Sequence, residues 1–196
     1  MPNRSRKIFY ICIPSRSLRN QLVSQPLQYD CSISRIHQHT DHKPGAQYAG
    51  GAAGAMIIYG PKNVDYDIDL GPVILSDWYH EDYYSLVEKT MSRKQDNTPQ
   101  PASNNNLING KMNFPCYKDV NCTANAGVSK FSFTSGKKHR LRLINMSAEA
   151  MQKFSIDGHR MTVIANDFVP VEPYDVAVVT LAVGESDLLK FLTLQY

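Results

Sequence analysis

Long apolar runs are missing from this chain. No hydrophobic stretch approaches the roughly 20 residues that a membrane-spanning helix needs, so no segment reads as one. A large excess of charge of one sign is missing as well. The net charge of +3 comes mostly from Arg4, Arg6, Lys7, Arg16 and Arg19, and the remainder is slightly acidic. Nucleic-acid binding needs a basic stripe on the folded part, and none is present. A secretory leader is also hard to find. The apolar patch Ile8 to Ile13 is shorter than the usual 7–15 residues or so, and Pro14 with a Ser/Arg run follows where a small-residue cleavage site belongs. What remains is ordinary for a folded protein. With 42% hydrophobic and 20% charged residues the chain is too apolar to stay disordered. Its 196 residues allow one large or two small domains.

Residues 1–45 show no clean period and read as an irregular segment. Met56 to Tyr59 is a short apolar run stopped by Gly60-Pro61, a strand followed by a turn. Lys62 to Leu70 has no hydrophobic face and reads as a linker. Val73 to Leu75 reads as a buried strand. A short helix is predicted over Glu81 to Met91, with Tyr84, Val87 and Met91 at helical spacing and Asp82 as its cap. Gln95 to Asn106 is rich in Pro, Ser, Asn and Gln and reads as a loop. The rest is β in character. Phe131 and Phe133 alternate with polar residues, and Leu141 and Leu143 alternate with Arg140 and Arg142. That period of two predicts a half-buried strand with the arginines outward. Asp157-Gly158 fits a tight hairpin between two flanking strands. Val176 to Val183 reads as a strand buried on both faces. The class predicted is all-β, a Greek-key β-sandwich or barrel with an irregular N-terminal segment.

Several segments resemble fungal laccases, in the same order along the chain. Gln47-Tyr48 and Met56-Ile57-Ile58-Tyr59-Gly60-Pro61 are similar to the last strand of the first laccase domain. Asp69-Leu70-Gly71-Pro72-Val73 and Ser76-Asp77-Trp78-Tyr79-His80 resemble the opening of the second. Leu107-Ile108-Asn109-Gly110-Lys111, Gly136 to Arg142, and Phe154-Ser155-Ile156-Asp157-Gly158-His159 with Met161 to Ile164 match further motifs of that domain. The resemblance is closest to ascomycete laccases. It implies a cupredoxin-like fold, with residues 46–65 ending the first domain, 66–184 forming the second, and 185–196 an atypical tail. It also implies copper as cofactor, and phenols and O₂ as substrates. The partners it implies are the remaining domains of the same enzyme, in a secreted setting.

The family's copper ligands lie on His-x-His and His-Cys-His motifs, mostly in domains this chain does not resemble. One candidate pair is present, His37-Gln38-His39, whose alternate side chains could share a metal on a strand. A chance pair in an irregular segment is the other reading. By resemblance Glu149 lines the phenol pocket, where a carboxylate accepts the phenolic hydrogen bond and proton. The alternative is an exposed loop Glu of no special role. Asp77-Trp78 reads as core, and His80 and His159 read as structural. The four cysteines are Cys12, Cys31, Cys116 and Cys122, and an even count permits two disulfides without requiring them. Cys116 and Cys122 are near enough to close a short loop. The sequon at Asn121 lies beside them, and others occur at Asn145 and Asn3. Asn121 with the cysteine pair leans toward a secreted glycoprotein.

Two functions are therefore open. One is a laccase-like multicopper oxidase of which this chain is an incomplete part. The other is a non-catalytic cupredoxin-like remnant with a structural or binding role. The family pattern fades above Ala46 and below Gly184. It predicts exposed apolar surface, low solubility, and a last strand short of a partner.

Overall fold

The computed structural model describes residues 11–14, 33–35, 44–51, 53–59, 64–96, 100–116, 127–167 and 169–192. Strands dominate. They are β1 (Ile11–Pro14), β2 (Ile33–Arg35), β3 (Ala55–Tyr59), β4 (Ile68–Trp78), β5 (Asn105–Ile108), β6 (Lys138–Asn145), β7 (Gln152–Phe154), β8 (Met161–Asn166), β9 (Val169–Val176), β10 (Val179–Leu181) and β11 (Ser186–Leu192). Two helices, α1 (Pro44–Ala49) and α2 (Tyr83–Asp96), complete the described elements.

The main sheet has six strands in the order β5-β4-β6-β11-β8-β9. Only β4 and β6 run parallel within it. Strands β7 and β10 pair as a separate two-stranded sheet. Between the two sheets lies the core: Val73, Leu75, Leu141, Leu143, Met161, Val163, Val179, Leu181 and Leu189, with Phe154 and Ile156 packed against it. On the opposite face of the main sheet, Ile74 and Ile144 meet Ala55 of β3. β3 itself lies between β1 and β2 in a three-stranded sheet, so strands do form within residues 1–45.

The Asn109-Gly110 turn follows from its two residues. Both have positive φ, and Ile108 and Lys111 exchange backbone hydrogen bonds across them. This is the geometry that favours Asn-Gly in two-residue hairpins. Asn109 Oδ1 also accepts from the Ile74 N–H at 2.8 Å, pinning the turn onto β4. The predicted helix is present as α2. Asp82 caps it, accepting from the N–H groups of Tyr84 at 2.9 Å and Ser85 at 3.3 Å. Its apolar stripe faces outward, with Tyr84, Val87 and Met91 all exposed.

Several expectations need correction. Arg140 and Arg142 do not face solvent; they are 1% and 0% exposed. β6 is buried on both faces, with leucines in the core and arginines on the other side, where Asp69 meets both guanidiniums. Part of the supposed linker is strand, since β4 begins at Ile68. Residues 185–192 of the expected tail are not apart from the domain. β11 lies between β6 and β8, pairs with both, and buries Leu189 completely. The last described strand therefore has partners on both sides. Asp157-Gly158 does turn the chain, with the His159 N–H donating to the Ile156 carbonyl. Its flanking strands nevertheless belong to different sheets, β7 with β10 and β8 with β9 and β11. Val176 to Val183 is split between β9 and β10, and Val178 is half exposed.

Candidate functional site

The end of β4 and the loop after β6 meet at one corner of the sandwich. Three buried polar residues build it. Asn145 is fully buried, and its side-chain amide donates to the carbonyls of Ala150 at 2.9 Å and Leu181 at 3.0 Å. Its Oδ1 accepts from the Ser147 N–H at 2.9 Å. Ser147 Oγ in turn accepts from the Asp77 N–H at 3.1 Å and from Gln152 Nε2 at 2.9 Å. Asp77, 6% exposed, then grips the loop. Its carboxylate accepts the backbone N–H of Ala148 at 2.7 Å, of Glu149 at 2.9 Å and of Ala150 at 3.0 Å. Three successive N–H groups on one carboxylate hold the loop in a single shape, because each is a charge-assisted bond. From α1, the Tyr48 hydroxyl adds a fourth tie, donating to the Ser147 carbonyl at 3.2 Å.

Glu149 is what this loop presents. It is exposed, and its Oε2 accepts from the Tyr79 hydroxyl at 3.4 Å. Burial pushes the Tyr79 phenol up to about 12, with the charges of Asp77 and Glu149 and the Glu149 hydrogen bond adding to it. This favours the protonated form of Tyr79, which donates to Glu149.

Reading motifs alone missed the supports of this site. Asp77 reads as core beside Trp78, yet it fixes the Glu149 loop. The contacts of Tyr79, Ser147 and Tyr48 at this corner leave no trace in the motifs, because they join positions some 70 to 99 apart in sequence.

The other expected positions fall elsewhere. His37, His39, Asn121 and Cys122 lie outside the described residues. Cys116 is disulfide-bonded. The sequon at Asn145 is corrected by burial: its amide nitrogen is sealed inside and gives both hydrogens to backbone carbonyls. A glycan has no room there. The described histidines are engaged structurally. His80 packs edge-on against Phe114 with its Nε2 3.5 Å from Asn105 Nδ2. His139 is fully buried and accepts from the Thr134 N–H at 3.1 Å. The His159 ring nitrogen Nδ1 lies 2.9 Å from the Asp157 carbonyl. With Cys116 oxidised and these rings apart, the described residues offer no group of three or more ligands for a metal. No described helix is long and apolar enough to cross a membrane.

Comparison with known proteins places the fold and site in context. Residues 69–187, more than half of the chain, match the multicopper oxidase family model. The chain is 43% identical to a laccase of Cryphonectria parasitica over 159 residues, covering 81% of this chain and 24% of that protein. It is 42% identical to the oxidoreductase OpS5 of Beauveria bassiana over 141 residues, 71% of this chain and 23% of that one. The crystal structure of the Botrytis aclada laccase superposes with a TM-score of 0.72 at 33% identity, covering 86% of this chain and 30% of that structure. The sandwich is therefore cupredoxin-like, and the family implies copper. This chain spans about a quarter of the length of the curated relatives it matches.

Proposed function

We propose, from the premise that this chain belongs to the multicopper oxidase family, that it supplies the phenol-binding wall of a laccase-type oxidase. Glu149 is the group that receives the phenolic proton. The observation that carries this is the loop itself: three backbone N–H groups on Asp77 fix the backbone that presents an exposed carboxylate. A carboxylate so presented accepts a hydrogen bond from a phenolic hydroxyl. When the phenol loses one electron, its O–H bond breaks and the proton passes to Glu149, leaving a phenoxyl radical. Copper supplies the electron-accepting chemistry in the family. The described residues hold no donor set for it, and His37 and His39 are the candidate pair. In this reading the chain acts as the second cupredoxin domain of a secreted enzyme. Residues 46–65 close the first domain, the remaining domains are its partners, and O₂ is the terminal oxidant. Cys122 is the proposed partner of Cys116, and Asn121 the proposed glycosylation site.

The structural engagement of His80, His139 and His159 favours one second reading, a cupredoxin-like module that binds phenols without oxidising them. Oxidation of a phenolic dye, with added copper, by this chain joined to the remaining domains separates the two: the first reading predicts turnover there and the second none.

The test of the Glu149 role is binding of 4-methoxyphenol to the chain and to Glu149→Gln, followed by NMR. Replacing a charged acceptor by a neutral one costs about 1 kcal/mol, so affinity falls on the order of five- to tenfold. Equal affinity of the two proteins excludes the role.

A further inference from the structure

The Tyr79 hydroxyl sits beside the Glu149 carboxylate, and the two come from different elements. Tyr79 follows directly on β4, whereas Glu149 rides on the loop after β6. Both are positioned through Asp77. Glu149 is fixed by Asp77 through its own N–H, and Tyr79 is two residues beyond Asp77 on the same strand exit. The bond between them is long, 3.4 Å against the usual 2.5–3.0 Å for an O–H donor. A contact that weak costs little to give up. The Tyr79 hydrogen is thus nearly available, and the acceptor beside it has a second oxygen with no described partner.

A donor and an acceptor side by side match a ring that carries an acceptor and a donor on adjacent carbons. We infer that Tyr79 is a specificity-determining residue of this site, donating to an oxygen ortho to the phenolic hydroxyl while that hydroxyl donates to Glu149. The inference rests on the reading of Glu149 given above. A phenol whose second oxygen lies para reaches only one of the two groups. The raised pKa of Tyr79 keeps its proton in place and supports the donor role. No charge moves in this step. Tyr79 exchanges a long contact with Glu149 for a shorter one with the ligand, and the ring orientation is set by two points instead of one.

The test compares 2-methoxyphenol with 4-methoxyphenol, isomers of the same size, binding to the 196-residue chain. Affinities are read by ligand-observed NMR. One additional hydrogen bond is expected to favour the 2-isomer about three- to tenfold. In Tyr79→Phe the ratio falls towards one. In Tyr174→Phe, an exposed tyrosine on β9, the ratio persists. A wild-type chain with no preference, or a Tyr79→Phe variant that keeps the preference, overturns the inference. Glu149→Gln separates the two layers. If it weakens both isomers while Tyr79→Phe leaves the ratio intact, the Tyr79 role falls and the Glu149 role stands. If it weakens neither, both fall together.

Discussion

Replacing Asp69 with Asn removes the carboxylate that two buried guanidiniums share. Arg140 and Arg142 both reach Asp69 Oδ2, with side chains 2% and 0% exposed. Arg140 also carries the Tyr66 ring, 4.0 Å from its guanidinium carbon. Arg142 depends on Asp69 more heavily, since its Nε and Nη1 find no acceptor among the described residues. Gly71 makes the geometry possible. Its φ of +77° bends β4 where the register with β6 slips, and its N–H donates to Asp69 Oδ1 at 2.9 Å. Two hydrogen bonds to charged groups contribute about 1.5–3 kcal/mol each, and a neutral Asn oxygen keeps a weaker version of one. With the Asp69 side chain 26% exposed, some of the loss is recovered by water. Asp69→Asn is therefore expected to cost about 2–4 kcal/mol. Urea unfolding followed by the fluorescence of Trp78, the single tryptophan, measures it. The pH dependence gives a second check. Burial raises the Asp69 carboxyl, but the hydrogen bond from Arg140, the charge of Arg142 and the Gly71 N–H outweigh it, so the group lies below its ordinary value. A depressed carboxylate stabilises the fold above its unfolded pKa and loses that contribution as pH falls through the folded one. The gap between wild type and Asp69→Asn should thus be full at pH 7 and shrink below about pH 4. In an Arg142→Met background, where one buried cation is gone, the same substitution should cost about 1–2 kcal/mol less. A loss under about 1 kcal/mol, independent of Arg142, would refute this reasoning, because it would mean that water already solvates these guanidiniums.

Three further substitutions probe other parts of the chain. Asp77→Ala leaves three loop N–H groups without their acceptor and is expected to cost about 2–4 kcal/mol in urea unfolding; amide exchange at Ala148, Glu149 and Ala150 should rise with it, and unchanged protection would count against the loop assignment. Asn109→Ala gives up the tolerance of Asn for its φ of +49° and drops the bond to the Ile74 N–H, for an expected loss of about 1–3 kcal/mol in the same assay. Asp187 is raised to about 6 by burial and by the charges of Glu185 and Asp167. Its protonated form favours the fold below the unfolded pKa, and that benefit is lost as pH rises through about 6. Asp187→Asn should therefore stabilise the chain at pH 8 by on the order of 1 kcal/mol and do so less at pH 4, as thermal melts at the two values would show.

How much of this was legible depends on how local the cause is. The Asn109-Gly110 turn and the Asp82 cap are set by neighbours a few residues away, so motif and spacing suffice. The arginines of β6 were misread because an alternation of Leu and Arg looks the same whether the second face meets water or a buried carboxylate. Deciding between them needs Asp69, 71 residues earlier. β11 escaped notice for a related reason. It opens on polar Ser186-Asp187, and only insertion between β6 and β8 makes it a central strand. The turn at Asp157-Gly158 was visible, but the destination of each flanking strand is a tertiary property. At the candidate site, Glu149 reads from a family motif, while the contacts of Asp77 and Tyr79 with its loop exist only in the fold.

The position of a bound phenol is the most direct measure of what this site does. A crystal structure of the chain with 4-methoxyphenol should place the phenolic oxygen within about 2.5–3.0 Å of a Glu149 carboxylate oxygen. The Asp77 grip on residues 148–150 should be unchanged. A phenol bound elsewhere, or a Glu149 loop that leaves Asp77 to accommodate it, would contradict the assignment.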